Sequence, residues 1–213
     1  SDLKSVRTLI IYIKNMMLTD EEVRQLATKL EEPINIAEIY QKYCRAMREN
    51  QWMDYDDQMI YAYRMLCKHP QILRHFQQRY RYFCVDEAQD TSKIQHAIIA
   101  LLAAGTGNLF MVGDEDQSIY GFRAAYPEAL LSFEKKHSGA KVLLMEENFR
   151  SNAKIVEAAD KFIQKNTLRH EKHMRAAREA GADIREISLK SRKAQYVYLM
   201  KAAQECTTGM AGM

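Results

Sequence analysis

Apolar residues recur at helical spacing from the start of the chain (Leu3, Val6, Leu9, Ile10, Ile13, Met17) and predict a helix over residues 3–18. Thr19, followed three positions later by Glu22, forms a capping box, so a second helix opens there. Pro33 separates it from a third, over about 35–50. Asp54 to Lys68 reads as a helix whose first turn is rich in acid (Asp54, Asp56, Asp57), where carboxylates suit the positive end of the helix dipole. Pro70, with φ already fixed for a first helical position, opens another helix that ends near Arg79. The pattern thus predicts an almost wholly helical N-terminal third.

The period then shortens. Tyr82-Phe83-Cys84-Val85, Leu109-Phe110-Met111-Val112 and Val142-Leu143-Leu144-Met145 are short, continuous, β-prone apolar runs. Helices over Ser92–Ala104 and from near Pro127 separate them. Continuous apolar strands alternating with helices predict a parallel sheet covered on both faces, hence a helix-rich α/β fold. Beyond Arg150 the pattern gives a helix over about 152–166, a basic stretch from Arg169 to Arg178, a strand at Ile184–Leu189, a last helix from Arg192, and a frayed tail from Cys206.

Composition narrows this picture. Of 213 residues 47% are hydrophobic, enough for a core, while 8 Gly and 3 Pro encode few turns and exclude a β-sandwich or barrel. Lys and Arg exceed Asp and Glu by 3, which permits contact with nucleic acid without arguing for it. Cys44, Cys67, Cys84 and Cys206 form no C-x-x-C pair, so reduced thiols and a cytoplasmic location are expected. No apolar run approaches the roughly 18 residues of a membrane span, and no export signal is visible.

Chemistry concentrates where strands end. Val85 leads into Asp86-Glu87-Ala88-Gln89-Asp90, and Val112 into Gly113-Asp114-Glu115-Asp116-Gln117. Ligands of open α/β sheets bind at the carboxyl ends of strands, so both acidic clusters fall on the functional edge. An Asp there can hold Mg²⁺ and an adjacent Glu can polarise a water, the two tasks of nucleotide hydrolysis. A lone Asp-Glu pair is also an ordinary strand-ending turn. The company it keeps decides between them.

The segments VDEAQDT (85–91), GDEDQSIYGFRAA (113–125) and EENFRS (146–151), in this order, resemble motifs II, III and IV of superfamily 1 DNA helicases of the UvrD/Rep/PcrA type. MDYDDQM (53–59) resembles the family's acidic helix start before motif II, and NTLRHEK (166–172) the beginning of its second motor domain. The resemblance spans roughly residues 36–200. It implies that Asp86 is the magnesium-associated acid and Glu87 the catalytic base that activates water. It implies that Gln117 senses the γ-phosphate of ATP, that Arg150 contacts it from the second domain, and that Phe149 stacks on the adenine where the family usually has Tyr. Tyr120, Phe122 and Arg123 align with residues that stack on and grip single-stranded DNA. The family usually reads Arg-Gly-Ala where this chain has Arg123-Ala124-Ala125; a positive φ at that Gly would strain Ala124 by about 1 kcal/mol.

A P-loop needs G-x-x-x-x-G-K-[ST], and none of the eight glycines is followed by Lys. The resemblance therefore implies an internal piece of a larger motor: 1–50 a helical 1B-like subdomain, 51–146 the back half of the first RecA-like domain, 147–213 the start of the second, with the P-loop strand absent. It would leave Leu109–Val112 as an open edge that invites self-association. The function implied is an ATP-dependent DNA helicase or translocase that couples Mg-ATP hydrolysis to 3′ to 5′ movement on single-stranded DNA or at single-strand/duplex junctions, as in DNA repair, with the piece alone inactive. The competing readings are a truncated DNA-binding or interaction module without ATPase activity, and the helicase subunit of a helicase–nuclease complex.

Three minor expectations complete the reading. The tyrosines at 40, 43, 55, 61 and 63 are expected to pack between helices, and Trp52, just before the acidic helix, to anchor the core. His170-Glu171-Lys172-His173 is expected at a solvated helix end, since its spacing is not that of a metal site. Arg74, Arg79 and Arg81 are expected on a solvated face.

Overall fold

The computed structural model describes residues 2–30, 34–119, 121 and 124–210, with side chains described from Leu3 to Glu205. Contacts divide it into two units, residues up to Leu143 together with Asn166–Glu171, and Leu144–Lys165 together with the stretch from Lys172 onward. The class is α/β: helix-rich, with two small parallel sheets.

The first unit opens with α1 (Asp2–Asn15), α2 (Asp20–Thr28) and α3 (Ile36–Glu49). The capping box at Thr19 is formed, Glu22 N–H donating to Thr19 Oγ1 and Thr19 N–H to Glu22 Oε2. Ile10, Ile13, Val23 and Ile36 make one buried core, with Val6, Leu9, Leu26, Tyr40 and Tyr43 packed against it. Helix α4 (Tyr55–Lys68) is capped by Asp54, and α5 (Pro70–Arg79) starts on its proline. Helices α1 and α3 end without glycine, in 6→1 bonds from Leu18 N–H to Ile13 O and from Trp52 N–H to Met47 O. Met17 and Gln51 consequently take the left-handed conformation, at φ 53° and 55°.

An ion cluster ties α1 to α4. The Lys14 side chain is 1% exposed, its Nζ 2.6 Å from Asp54 Oδ2 and 2.7 Å from Asp57 Oδ1. Tyr43 of α3 donates to Asp54 Oδ2 at 2.5 Å and sets its ring 4.9 Å from Nζ. Asn15 donates to Asp56 at 2.7 Å. Burial alone would push the Lys14 ammonium down, but its bonds to Asp54 and Asp57 outweigh this and hold it above its ordinary value. Tyr40 and Tyr43 thus pack between helices as expected. Trp52, in the link between α3 and α4, is instead 64% exposed, and Tyr55 and Tyr61 face outward on α4.

Strand β1 (Phe83–Val85) pairs in parallel with β2 (Leu109–Met111), joined by α6 (Lys93–Ala103), in the register Phe83↔Leu109, Cys84↔Phe110 and Val85↔Met111. Only one face is covered, since Cys84 and Phe110 point outward and are exposed. That corrects the expectation of burial on both faces. The helix expected from Pro127 is broken into α7 (Glu128–Leu131) and α8 (Phe133–Lys136), and Ser132 between them bonds its own hydroxyl back to Glu128 O.

In the second unit β3 (Glu147–Asn148) pairs in parallel with β4 (Arg175–Ala176), and Asn152 caps α9 (Ala153–Ile163) by accepting from Ile155 N–H at 3.1 Å. Gly181, at φ +65°, lets the backbone pass Asn152 so closely that a Cβ would lie 2.6 Å from its Nδ2. Helix α10 (Arg192–Met210) follows. The apolar runs Val142–Met145 and Ile184–Leu189 are not strands, and Leu143 and Met145 are more than four-fifths exposed. A strand exists only through a hydrogen-bonded neighbour, and among the described residues neither run has one. No described helix is long and apolar enough to cross a membrane.

Candidate functional site

The register of β1 and β2 brings their carboxyl ends side by side. Pairing continues past the strands, Val112 N–H donating to Val85 O at 2.8 Å and Ala88 N–H to Val112 O at 2.9 Å. Asp86-Glu87 and Gly113-Asp114 therefore leave the sheet together, as the two acid-ended runs predict.

Glu87 takes a left-handed conformation, φ 48° and ψ 43°, which a side chain bearing Cβ adopts at a cost. The reversal is held on both sides. Asp86 Oδ1 accepts from Glu87 N–H at 2.9 Å, and the next residues, Ala88–Asp90, close a single 3-10 turn with Ala88 and Gln89 buried. Strain retained at one residue by its surroundings is a mark of functional sites. Both Asp86 and Glu87 carry their carboxylates at the surface.

Gln89 joins the two strand ends. Its side chain is 1% exposed; its amide nitrogen donates to Glu87 Oε2 at 2.7 Å, and its amide oxygen accepts from Asp114 N–H at 3.0 Å. Both ends of a buried amide are thus satisfied, one by each acidic cluster. Gly113 has no Cβ because one would lie 2.7 Å from Gln89 Oε1 and 2.9 Å from Leu130 Cδ1. Asp114 in turn caps the 3-10 turn Glu115–Gln117: Oδ1 accepts from Asp116 N–H at 3.2 Å and Oδ2 from the Gln117 side-chain amide at 2.8 Å. A chain of bonds therefore runs from Glu87 through Gln89 and Asp114 to Gln117, its two ends singled out by sequence and its two middle members, Gln89 and Asp114, not given a role. The signal for Gln89 was present: a glutamine between acids in a segment that otherwise turns sharply after an apolar strand.

Thr91 donates its hydroxyl to Ala88 O at 2.7 Å, so the His96 ring nitrogen 2.5 Å from that hydroxyl is the protonated one. Burial pushes the His96 imidazole below its ordinary range, with the nearby Lys136 charge acting the same way and its bond to the Ala88 backbone opposing them. His96 braces the turn behind Glu87 through Thr91.

The remaining candidates stand elsewhere. Phe149 and Arg150 belong to the second unit, both exposed, in a turn where Asn148 Oδ1 accepts from Arg150 N–H at 3.0 Å and Ser151 N–H at 2.8 Å. Tyr120, Phe122 and Arg123 lie outside the described residues. Their neighbour Ala124 has φ 62° and is fully buried, so the positive φ considered from the sequence is present, on an alanine. His170 is not at a solvated helix end: its backbone N–H donates to Glu115 Oε1 at 2.9 Å and its ring lies 3.3 Å from the same oxygen. Among the described residues no group of three or more His, Cys, Asp or Glu converges as a metal cage.

Comparison with known proteins gives this geometry its context. Residues 1–138 match the family model of the UvrD/REP helicase N-terminal domain. The chain is 38% identical over 161 residues to a probable DNA helicase II homolog of Rickettsia felis, covering 76% of this chain and 25% of that protein. It is 33% identical over 189 residues to the ATP-dependent DNA helicase PcrA of Staphylococcus epidermidis, covering 89% of the chain and 26% of the relative. Against PcrA of Staphylococcus aureus the figures are 36% over 172 residues, 81% and 23%. The chain thus spans about a quarter of the length of the curated relatives it matches. With strand-end acids tied together as above and a family model matching most of its length, the chain belongs to the UvrD/REP helicase family.

Proposed function

We propose that these residues are part of an ATP-dependent DNA helicase or translocase, in which Glu87 activates the water that attacks the γ-phosphate of ATP. The observation that carries this reading is the bond chain Glu87–Gln89–Asp114–Gln117, which links a surface carboxylate at one strand end to a surface amide at the next. Glu87 Oε2 is held by the Gln89 amide, an uncharged donor that orients the carboxylate without protonating it, as a proton acceptor requires. Gln117, oriented by Asp114, offers an amide to the oxygens of the terminal phosphate.

Mg²⁺ fits the donor set. It is usually held by one or two carboxylates, water and substrate phosphates rather than by a protein cage, and Asp86 at the end of β1 is an exposed carboxylate of that kind. When bound, the ion would neutralise charge on the phosphate oxygens. Arg150 and Phe149 extend the proposal to the second unit, as a cation for the transferring phosphoryl group and an aromatic face for the base. Tyr120, Phe122 and Arg123 are proposed to grip single-stranded DNA by stacking and charge. The absence of Gly-Lys from the sequence and the quarter-length coverage of the relatives support a segment of a longer motor. On this reading the segment alone does not turn over ATP, and residues 1–50, 51–146 and 147–213 are parts of three subdomains.

The test is DNA-stimulated ATP hydrolysis by the full-length helicase and by its Glu87→Gln variant. The expected result is turnover stimulated by single-stranded DNA that falls at least about 100-fold in Glu87→Gln, the usual scale of general-base catalysis. Equal turnover in both proteins would refute the role of Glu87. No turnover in either, with DNA still bound, would favour a binding module.

A further inference from the structure

The turn that carries Gln117 is gripped from a distant part of the chain. Asp114 caps this turn from within, but the next two acids, Glu115 and Asp116, point inward, Glu115 8% exposed and the Asp116 side chain 11%. Carboxylates removed from water need donors in place of it. Both find them in the six residues Asn166–Glu171 of the same unit, more than fifty positions further along. Arg169 Nε donates to Asp116 Oδ1 at 2.9 Å and Nη2 to Oδ2 at 2.7 Å, with the Arg169 side chain 5% exposed. His170 adds its backbone N–H to Glu115.

Two parallel bonds from one guanidinium fix the plane of a carboxylate as well as its position, which a single point charge cannot do. Asp116 is thereby pinned through its side chain by Arg169 and through its backbone N–H by Asp114, and Gln117 is the very next residue. We infer that Arg169 is a positioning residue for Gln117, acting through Asp116, with His170 as a second tie through Glu115. This rests on the proposed role of Gln117 toward the terminal phosphate.

The experiment is steady-state ATP hydrolysis, with thermal melting in parallel, by the full-length helicase and its Arg169→Ala and Arg169→Lys variants. Displacement of a reacting or positioning group by about 1 Å can cost about 100-fold in rate, so Arg169→Ala is expected to lower kcat about 100-fold with KM for ATP within about threefold. Arg169→Lys keeps the charge but not the fork. It is expected to melt within a few degrees of the wild type and still lose about tenfold or more in kcat. Should Arg169→Ala fail to fold, Arg169→Lys and Asp116→Asn carry the test. A kcat unchanged in Arg169→Lys, or restored by Lys in step with stability, would overturn the inference and leave Arg169 a structural cation. An active wild type with undiminished variants overturns this inference alone; an inactive wild type overturns the reading of Gln117 and this inference with it.

Discussion

Lys14→Met removes one charge from the first unit and almost no volume. In the native protein the ammonium is 1% exposed, with Asp54 and Asp57 oxygens 2.6 and 2.7 Å away. Methionine fills the channel left by the lysine stem but strands two carboxylates that now repel each other. Removing one partner of a buried ion pair costs about 3–5 kcal/mol, and since Asp54 and Asp57 are 28% and 15% exposed, water recovers part of that, leaving about 3 kcal/mol. At this size of protein that is a fall of about 6–12 °C in Tm.

The pH dependence separates this cause from a packing defect. Burial would raise the Asp54 carboxyl, but bonds from Lys14 and Tyr43 and from its own cap outweigh burial and hold it below the usual carboxylate range. Its folded pKa being the lower one, its contribution is complete above the unfolded value near about 4 and is lost as pH falls through the folded value. Lys14 is held high, so its contribution is complete below about pH 10 and lost as pH rises through its folded value. The penalty of Lys14→Met should therefore be full at pH 7 and shrink toward pH 3 as Asp54, without its lysine, takes up a proton. Adding Asp54→Asn and Asp57→Asn should recover most of it, because Asn caps a helix as well as Asp does. Urea unfolding followed by far-UV circular dichroism and by emission of Trp52, the single tryptophan, gives the measurement. A loss below about 1 kcal/mol at pH 7, or a loss that stays constant down to pH 3, would refute the reasoning.

Substitutions at three further positions test local conformation. Ala124, buried at φ 62°, should be relieved by Ala124→Gly by up to about 1 kcal/mol and damaged by Ala124→Val by at least about 2 kcal/mol, read from urea midpoints. Gln51→Gly should stabilise by about 0.5–1 kcal/mol, since Gln51 holds a left-handed helix end with its side chain exposed; no change in midpoint would contradict the cap geometry. Gly181→Ala, strained at φ +65° and pressed on Asn152, should cost about 2 kcal/mol and speed amide exchange at Ile155, the amide that Asn152 caps.

Local signals in the sequence carried a long way. The Thr19 cap, the acidic turn that starts at Asp54, Pro70 and the two apolar runs before acidic clusters each act within one turn or one strand, so the helices and the meeting of Asp86-Glu87 with Gly113-Asp114 were legible. What depended on distant partners was not. Val142–Met145 has the composition of a strand, yet composition supplies no neighbour to bond with. Lys14 looks like a solvent-facing lysine until Asp54 and Asp57, forty residues on, close over it. Arg169 sits in a basic stretch indistinguishable by pattern from Arg178, and only the fold shows that Asp116 waits for it. The left-handed backbone of Glu87 had no signal either, since glutamate rarely adopts it and glycine or asparagine would have announced it.

The amide at Gln89 has one more implication, for chemical ageing and for substitution alike. Hydrolysis of that amide to a carboxylic acid, or a Gln89→Glu exchange, swaps a single nitrogen for oxygen and leaves the shape intact. It would set two carboxyl groups at the 2.7 Å now spanned by a hydrogen bond, where like charges that close cannot both ionise and the pair shares a proton at neutral pH. One heavy atom of a side chain that is 1% exposed thus sets which charges stand together at the end of β1.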